Sequence, residues 1–346
     1  MDSWANLSLY ESSDLVQDIF KKRHGRELRT GKAREIASAV AQGREYFSAA
    51  SEAGSLVRPL LQYYGVLSLC RSLILLLSPN LREASLRQSH GVQSVGWNEV
   101  LAADKPHPVD LEVKIGEGTF LSLLMSTKNS DVSSVFTGPY PSRLIFTRTR
   151  PTAALRGVRI AFQPLLSRIC ELRDVYERSF GKCASNYRAF VFTLAANAQS
   201  DIDLFHGQQG LPLEDQLRRE LSIPADVPLH SQDKHPLLPR QEPYLGYRLL
   251  CPPGANSLEL LPQIDNHPDG TMSVVVPFGA GFSISRIGRF FLLSYFLGTL
   301  ARYHPSTWLT IMQGRQGGDF MLPIIRESMS ILQRYIPTLI IEELER

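Results

Sequence analysis

Residues 58–80 read RPLLQYYGVLSLCRSLILLLSPN. Pro59 fits the first turn of a helix, where its missing N–H is one the helix leaves unbonded anyway. Leu60, Leu61, Tyr64, Leu67, Leu69, Leu73, Ile74 and Leu77 then follow so densely that apolar side chains face nearly all round, and Ser78-Pro79-Asn80 ends the run. A helix of that kind is buried on most sides, so other elements must pack around it. Gly65 in its interior costs about 1 kcal/mol against alanine, which suggests close approach by a second helix. Residues 41–91 therefore form the spine of the chain, ending in Ser89-His90-Gly91.

Upstream, Leu15, Ile19, Phe20, Ile36, Val40, Tyr46 and Phe47 recur at three and four, the helical period, with a break at HGRELRTGKAR, residues 24–34. Lys21 to Arg34 is the densest positive stretch in the chain. Such a run reads as a solvated face or as a phosphate or RNA contact. Downstream of the spine, LREASLRQSH, residues 81–90, predicts a short helix with Arg87 and His90 on one face. An arginine beside a histidine is chemically useful: one stabilises charge on a reacting phosphate while the other moves a proton. It is also what an exposed helix end looks like. Tyr63 and Tyr64 read as core packing or as pocket lining.

The middle of the chain changes character. Residues 110–115, DLEVKI, and TFLSLL after the GEG of residues 116–118 read as two strands of a hairpin, and 129–142 as a polar loop. Helical spacing returns over 162–180, residues 186–196 suit a strand, and 215–221 a short helix. Residues 222–243 are proline-rich, and strands are expected over 244–250 and 272–278, with a loop carrying HPDG between them. The last block is strongly helical, broken at His304-Pro305 because the residue before proline disfavours helix; Arg302, Tyr303 and Trp308 flank the break. The expected fold is α+β and predominantly helical. Its N- and C-terminal helical blocks, residues 1–95 and 286–346, pack together around a mixed or small antiparallel-sheet insertion, residues 96–285.

Bulk properties exclude several classes. At 346 residues with 43% hydrophobic and 21% charged residues the chain is ordinary globular material, and a net charge of +3 argues for no polyanionic partner by itself. Cys70, Cys170, Cys183 and Cys251 stand far apart with no metal-binding spacing, and His230 and His235 lie among prolines that fix no common face. No metal and no cofactor is expected. The N-terminus lacks an apolar signal region, and the apolar run between Ser72 and Ser78 is too short for a bilayer; the expected location is cytoplasmic, away from membranes. Nucleophile elbow, P-loop, zincin and dinucleotide fingerprints are all missing from the sequence.

The blocks GREYFSAA, RPLLQYYGVLSLCRSLILL, SHG, LEVKIGEGTF, LLSRICELRDVY and LARYHPSTW, in that order, resemble the bacterial YaaC-like proteins. The resemblance implies an architecture and a bacterial cytoplasmic setting, and no mechanism. A helix pair whose second member carries YYG before a histidine-glycine also resembles, more distantly, the core of HEPN domains. These modules often dimerise, and active members cleave RNA without a metal, using an arginine and a histidine with four to six residues between them. Here seven residues separate Arg82 from His90 and only two separate Arg87 from it, so neither fits that spacing. Three functions follow as expectations. The first is a binding or accessory module associated with nucleic acid or nucleotides, linked to phage defence or stress. The second is a metal-independent ribonuclease using His90 with Arg87 or Arg82, and the third an oligomerising scaffold that binds a protein partner or further copies of itself. The candidate site combines His90 and Arg87 with Tyr64, Arg82, Arg302, Tyr303 and Trp308, because both clusters lie at ends of nearly all-apolar helices.

Overall fold

A computed structural model describes residues 3–103, 107–137, 142–194, 199–205, 213–232, 246–250, 260–267, 272–315 and 319–346. His235, Cys251, the HPDG loop after its histidine and most of the proline-rich segment lie outside these residues. In chain order, α1 (Ser3–Ser8), α2 (Ser13–His24), α3 (Thr30–Glu52) and α4 (Arg58–Leu77) come first. Next are β1 (His90–Val95), α5 (Trp97–Leu101), β2 (Glu112–Gly118), α6 (Thr119–Ser126), β3 (Asp131–Thr137), β4 (Ser142–Arg148), β5 (Arg159–Ala161) and α7 (Phe162–Leu166). Then follow α8 (Arg173–Phe180), β6 (Asn186–Leu194), β7 (Gln199–Phe205), α9 (Glu214–Leu221), β8 (Leu229–Gln232), β9 (Gly246–Leu249), β10 (Ile264–Asn266) and β11 (Met272–Val275). Three helices close the chain: α10 (Arg286–Tyr303), α11 (Pro305–Met312) and α12 (Leu322–Glu345).

The chain divides into two compact units, one of Met1–Asn129, Arg150–Leu166 and Ile284–Arg346, the other of Ser130–Thr149 and Ser167–Ser283. The boundary at residue 95 drawn from composition falls inside the first unit, between β1 and α5.

In the first unit α4 is the centre, packed by α3, α6, α10 and α12. Val66, Leu69, Leu73, Ile74 and Leu76 have no exposed surface, and burying each such side chain stabilises by about 1.5–3 kcal/mol. By length and composition α4 could cross a bilayer, yet 67% of its most apolar window is buried in protein, as in a core helix. The terminal helical blocks meet on it: Gln62 Nε2 donates to the Met329 carbonyl of α12 at 2.8 Å. Phe162 and Trp97 both stack on Phe296 of α10, at 4.6 and 5.6 Å between centroids.

Gly65 explains how α3 comes so close. A Cβ there would sit 2.6 Å from Phe47 Cδ2 and 3.3 Å from the Gly43 carbonyl oxygen. Gly65→Ala is therefore expected to destabilise by about 1–3 kcal/mol through overpacking, although alanine is the better helix former. A urea midpoint that stays put or rises, at unchanged slope, would contradict this.

Three local expectations are corrected. Residues 81–90 form no helix beyond a 3-10 turn at Glu83–Ser85, and His90 instead opens β1 opposite Gly118. The physical reason is burial: among residues 81–89 only Leu86 is buried, so a helix there would have no apolar face to hide. The TFLSLL segment is helix α6 rather than a strand. Gly118 at φ +148 turns the chain out of β2 in a conformation closed to other residues, and Phe120, Leu123 and Leu124 then fall on one buried helical face. The partner of β2 is β1 on one side and β5 on the other, both antiparallel. Residues 131–137, expected as loop, pair with β4.

The second unit holds a six-stranded antiparallel sheet ordered β10-β11-β6-β7-β9-β8. Tyr187, Ala189, Ile202, Leu204 and Val274 pack with Leu217 and Leu221 of α9 in one apolar cluster. The helical run expected over 162–180 is split into α7, a 3-10 turn and α8, and the unit boundary falls after α7.

Candidate functional site

Although α4 is buried on most sides, Tyr64, Leu67 and Arg71 remain half-exposed. Their spacing of three and four puts them on one stripe. Beside the Leu67–Arg71 end of this stripe opens a cleft of about 600 Å³. Its walls are Glu35 of α3, Leu67 and Arg71, the Glu83–His90 segment and Thr119 at the start of α6.

Most charged groups around the cleft are matched. Arg82 grips Glu35, with Nε 2.9 Å from Oε1, and the backbone N–H of Glu83 donates to the same carboxylate at 3.0 Å. These contacts hold the Glu35 carboxyl below the usual range. Glu117 is bracketed by Arg87 and by Arg156, the latter at 2.7 Å. Arg71 is different. Among the described residues it has neither a hydrogen bond nor a carboxylate partner, and its Nε is fully buried. Arg302 likewise has no carboxylate: it donates to the Tyr64 hydroxyl and lies over the rings of Tyr64 and Tyr303 at 5.8 and 4.9 Å. Among the described residues that line the cleft or pair with its walls, Arg71, Arg82, Arg87 and Arg156 stand with Glu35, Glu83 and Glu117.

His90 feels the charge of both unmatched arginines. Tyr63 meets its ring edge-on at 5.4 Å, and Tyr295 lies 6.1 Å away. Burial, then Arg302, then Arg71 hold its pKa below the ordinary imidazole value. The imidazole is consequently neutral at neutral pH, and no protein group among the described residues hydrogen-bonds it.

The structure thus gathers His90, Arg87, Arg82, Tyr64 and Arg302 in one neighbourhood of the first unit, with Tyr303 at its edge, 61% exposed. Trp308 is not part of it: the indole is 1% exposed and its Nε1 donates to the Ser55 carbonyl. Arg71 was missed by sequence reasoning. Its signal was a lone cation seven residues after Tyr64 inside an otherwise apolar run.

The basic stretch of residues 21–34 is largely committed to structure. Arg23 donates to the Leu344 carbonyl, Arg26 to Asn80, and Lys32 to the carbonyls of Ser78 and Pro79 at the end of α4. Burial pushes the Lys32 amine down to about 8.

A second polar cluster lies in the other unit, where His267 bridges Glu171 at 3.6 Å and Ser273 at 2.9 Å. Ser273 is 3% exposed on β11, which leaves its hydroxyl no room to meet a substrate. The chain of contacts ties β10 and β11 to the turn before α8. Among the described residues no group of three or more His, Cys, Asp or Glu side chains could hold a metal ion.

The model of one protein family, described as YaaC-like Protein, matches residues 8–344. No curated protein and no solved structure matches the chain.

Proposed function

The chain belongs to the YaaC-like protein family, and we propose that it works as a binding module whose cleft beside α4 takes up a phosphate-bearing anion of the kind nucleotides and nucleic acids carry. The observation that supports this reading is Arg71. Arg71 lines the cleft, half-exposed, with neither a hydrogen bond nor a carboxylate among the described residues, so its charge is uncompensated unless an anion enters. Of the carboxylates in the cleft wall, Glu35 is already held by Arg82. Arginine's fork of donors matches a phosphate in particular.

Thermal unfolding of the full chain in sodium pyrophosphate, against sodium chloride at equal ionic strength, tests it. At ten times the dissociation constant the bound anion stabilises by about 1.4 kcal/mol, so the midpoint should rise in the wild type and not in Arg71→Met. Equal shifts in both proteins, or none in either, overturn the reading. A metal-independent ribonuclease would use the same cleft, with His90 as the proton carrier. It predicts cleavage of total RNA in EDTA that His90→Ala abolishes.

A further inference from the structure

We propose that the ligand of this cleft is a mononucleotide, its phosphates at Arg71 and His90 and its base stacked on the Tyr64–Arg302–Tyr303 surface. The inference rests on the cleft being an anion site and says what else the anion carries.

The two ends of the site are continuous. Arg71 and Tyr64 lie on one stripe of α4, seven residues or about 10 Å apart at 1.5 Å per residue. Because α3 runs back along α4, it contributes Glu35 at the Arg71 end and Tyr46 at the other, where Tyr46 stacks on Tyr64 at 5.6 Å. His90 joins the two ends: it lines the cleft and packs against Tyr63 at 5.4 Å, which in turn packs against Tyr64 at 5.8 Å. Phosphate-binding groups and a flat aromatic surface therefore lie along a single track whose length suits a nucleoside with a short phosphate chain.

The aromatic end is ordered yet open. Arg302 is pinned by its hydrogen bond to Tyr64 and lies over both tyrosine rings. Tyr303 is nonetheless 61% exposed. An ordered arginine–aromatic layer with an open ring is a stacking platform, and such platforms accept any nucleobase because every base has a π-face.

The charges separate a mononucleotide from a strand. A tract for single-stranded nucleic acid needs a positive groove that continues past the first phosphate. Here the other cation lining the cleft, Arg87, is already paired with Glu117, and Arg82 with Glu35, so among the described residues no further unmatched cation continues the track. The volume of about 600 Å³ also falls among small-molecule sites.

Calorimetric titration of the full chain with ADP, UDP and inorganic pyrophosphate tests the assignment. Both nucleotides should bind at least tenfold tighter than pyrophosphate. Tyr303→Ala, an exposed position that leaves folding intact, should weaken both nucleotides about fivefold or more, as expected for a lost stacking contact, and leave pyrophosphate unchanged. Arg71→Met should weaken all three about tenfold or more. If pyrophosphate binds as well as the nucleotides, or Tyr303→Ala affects all alike, the mononucleotide assignment is wrong while the anion site stands. If none of the three binds, both fail. A single-stranded RNA oligonucleotide that outcompetes ADP would replace the mononucleotide with a strand.

Discussion

Replacing Trp308 with alanine is expected to remove about 3–5 kcal/mol of stability and to leave the affinity of the cleft unchanged wherever the variant is still folded. The indole is 1% exposed, so truncation leaves a cavity that the surrounding helices fill only in part. Its Nε1 also donates to the Ser55 carbonyl at 3.2 Å, tying α11 to the turn between α3 and α4. Against a total stability of about 5–15 kcal/mol, such a loss is a large share, and urea unfolding should show it as a sharply lower midpoint at similar slope. Tyr303→Ala, at an exposed ring five residues away, should stay within about 0.5 kcal/mol of wild type. The two aromatics flank the same helix break and look alike in sequence, yet one belongs to the core and the other to the surface. A Trp308→Ala protein that unfolds like wild type but no longer binds pyrophosphate would reverse that division.

This pair shows where sequence reasoning reaches and where it stops. The limits of α2, α3, α4 and α10 were legible because helical period, proline at the first turn and glycine or proline at the ends act within a few residues. Gly65 was legible too, since an interior glycine has few uses other than close approach. Residues 81–90 were misread because helix propensity there is not opposed locally; what is missing is burial, since of residues 81–89 only Leu86 is covered by the rest of the fold. TFLSLL is apolar enough for a strand or a helix, and only the backbone at Gly118 decides. The site suffered in the same way. His90, Tyr64 and Arg302 could be suspected from their positions at helix ends, and the packing of α10 on α4 brings them together. Whether an arginine is matched depends on which carboxylates arrive beside it, so Arg82 and Arg87 could not be told from Arg71 along the chain.

Arg71→Leu should separate stability from function most clearly, because the two are expected to move in opposite directions. Removing a guanidinium whose Nε is buried without a partner is expected to raise stability by about 1–3 kcal/mol, the cost of such an unsatisfied group. The same change removes a charge-assisted contact of about 1.5–3 kcal/mol to the bound anion, weakening binding roughly tenfold to a hundredfold. A residue kept for structure would lose stability on replacement and leave anions indifferent. The pH dependence gives an independent check. In the free protein His90 is held below its ordinary value of 6.5 by burial, Arg302 and Arg71. The folded state therefore binds fewer protons than the unfolded chain as pH falls through 6.5, and stability drops on that side. An anion seated between the guanidiniums and the imidazole raises the His90 pKa, so binding takes up a proton. Affinity should then grow as pH falls below neutrality and level off once free His90 is itself protonated. Sulfate, whose own charge is constant over this range, is the appropriate probe. His90→Asn should flatten the sulfate profile, and Arg71→Leu should make the acid-side loss of stability in the free protein shallower by relieving part of the charge that depresses His90. A sulfate affinity independent of pH in the wild type would show that the imidazole does not face the bound anion.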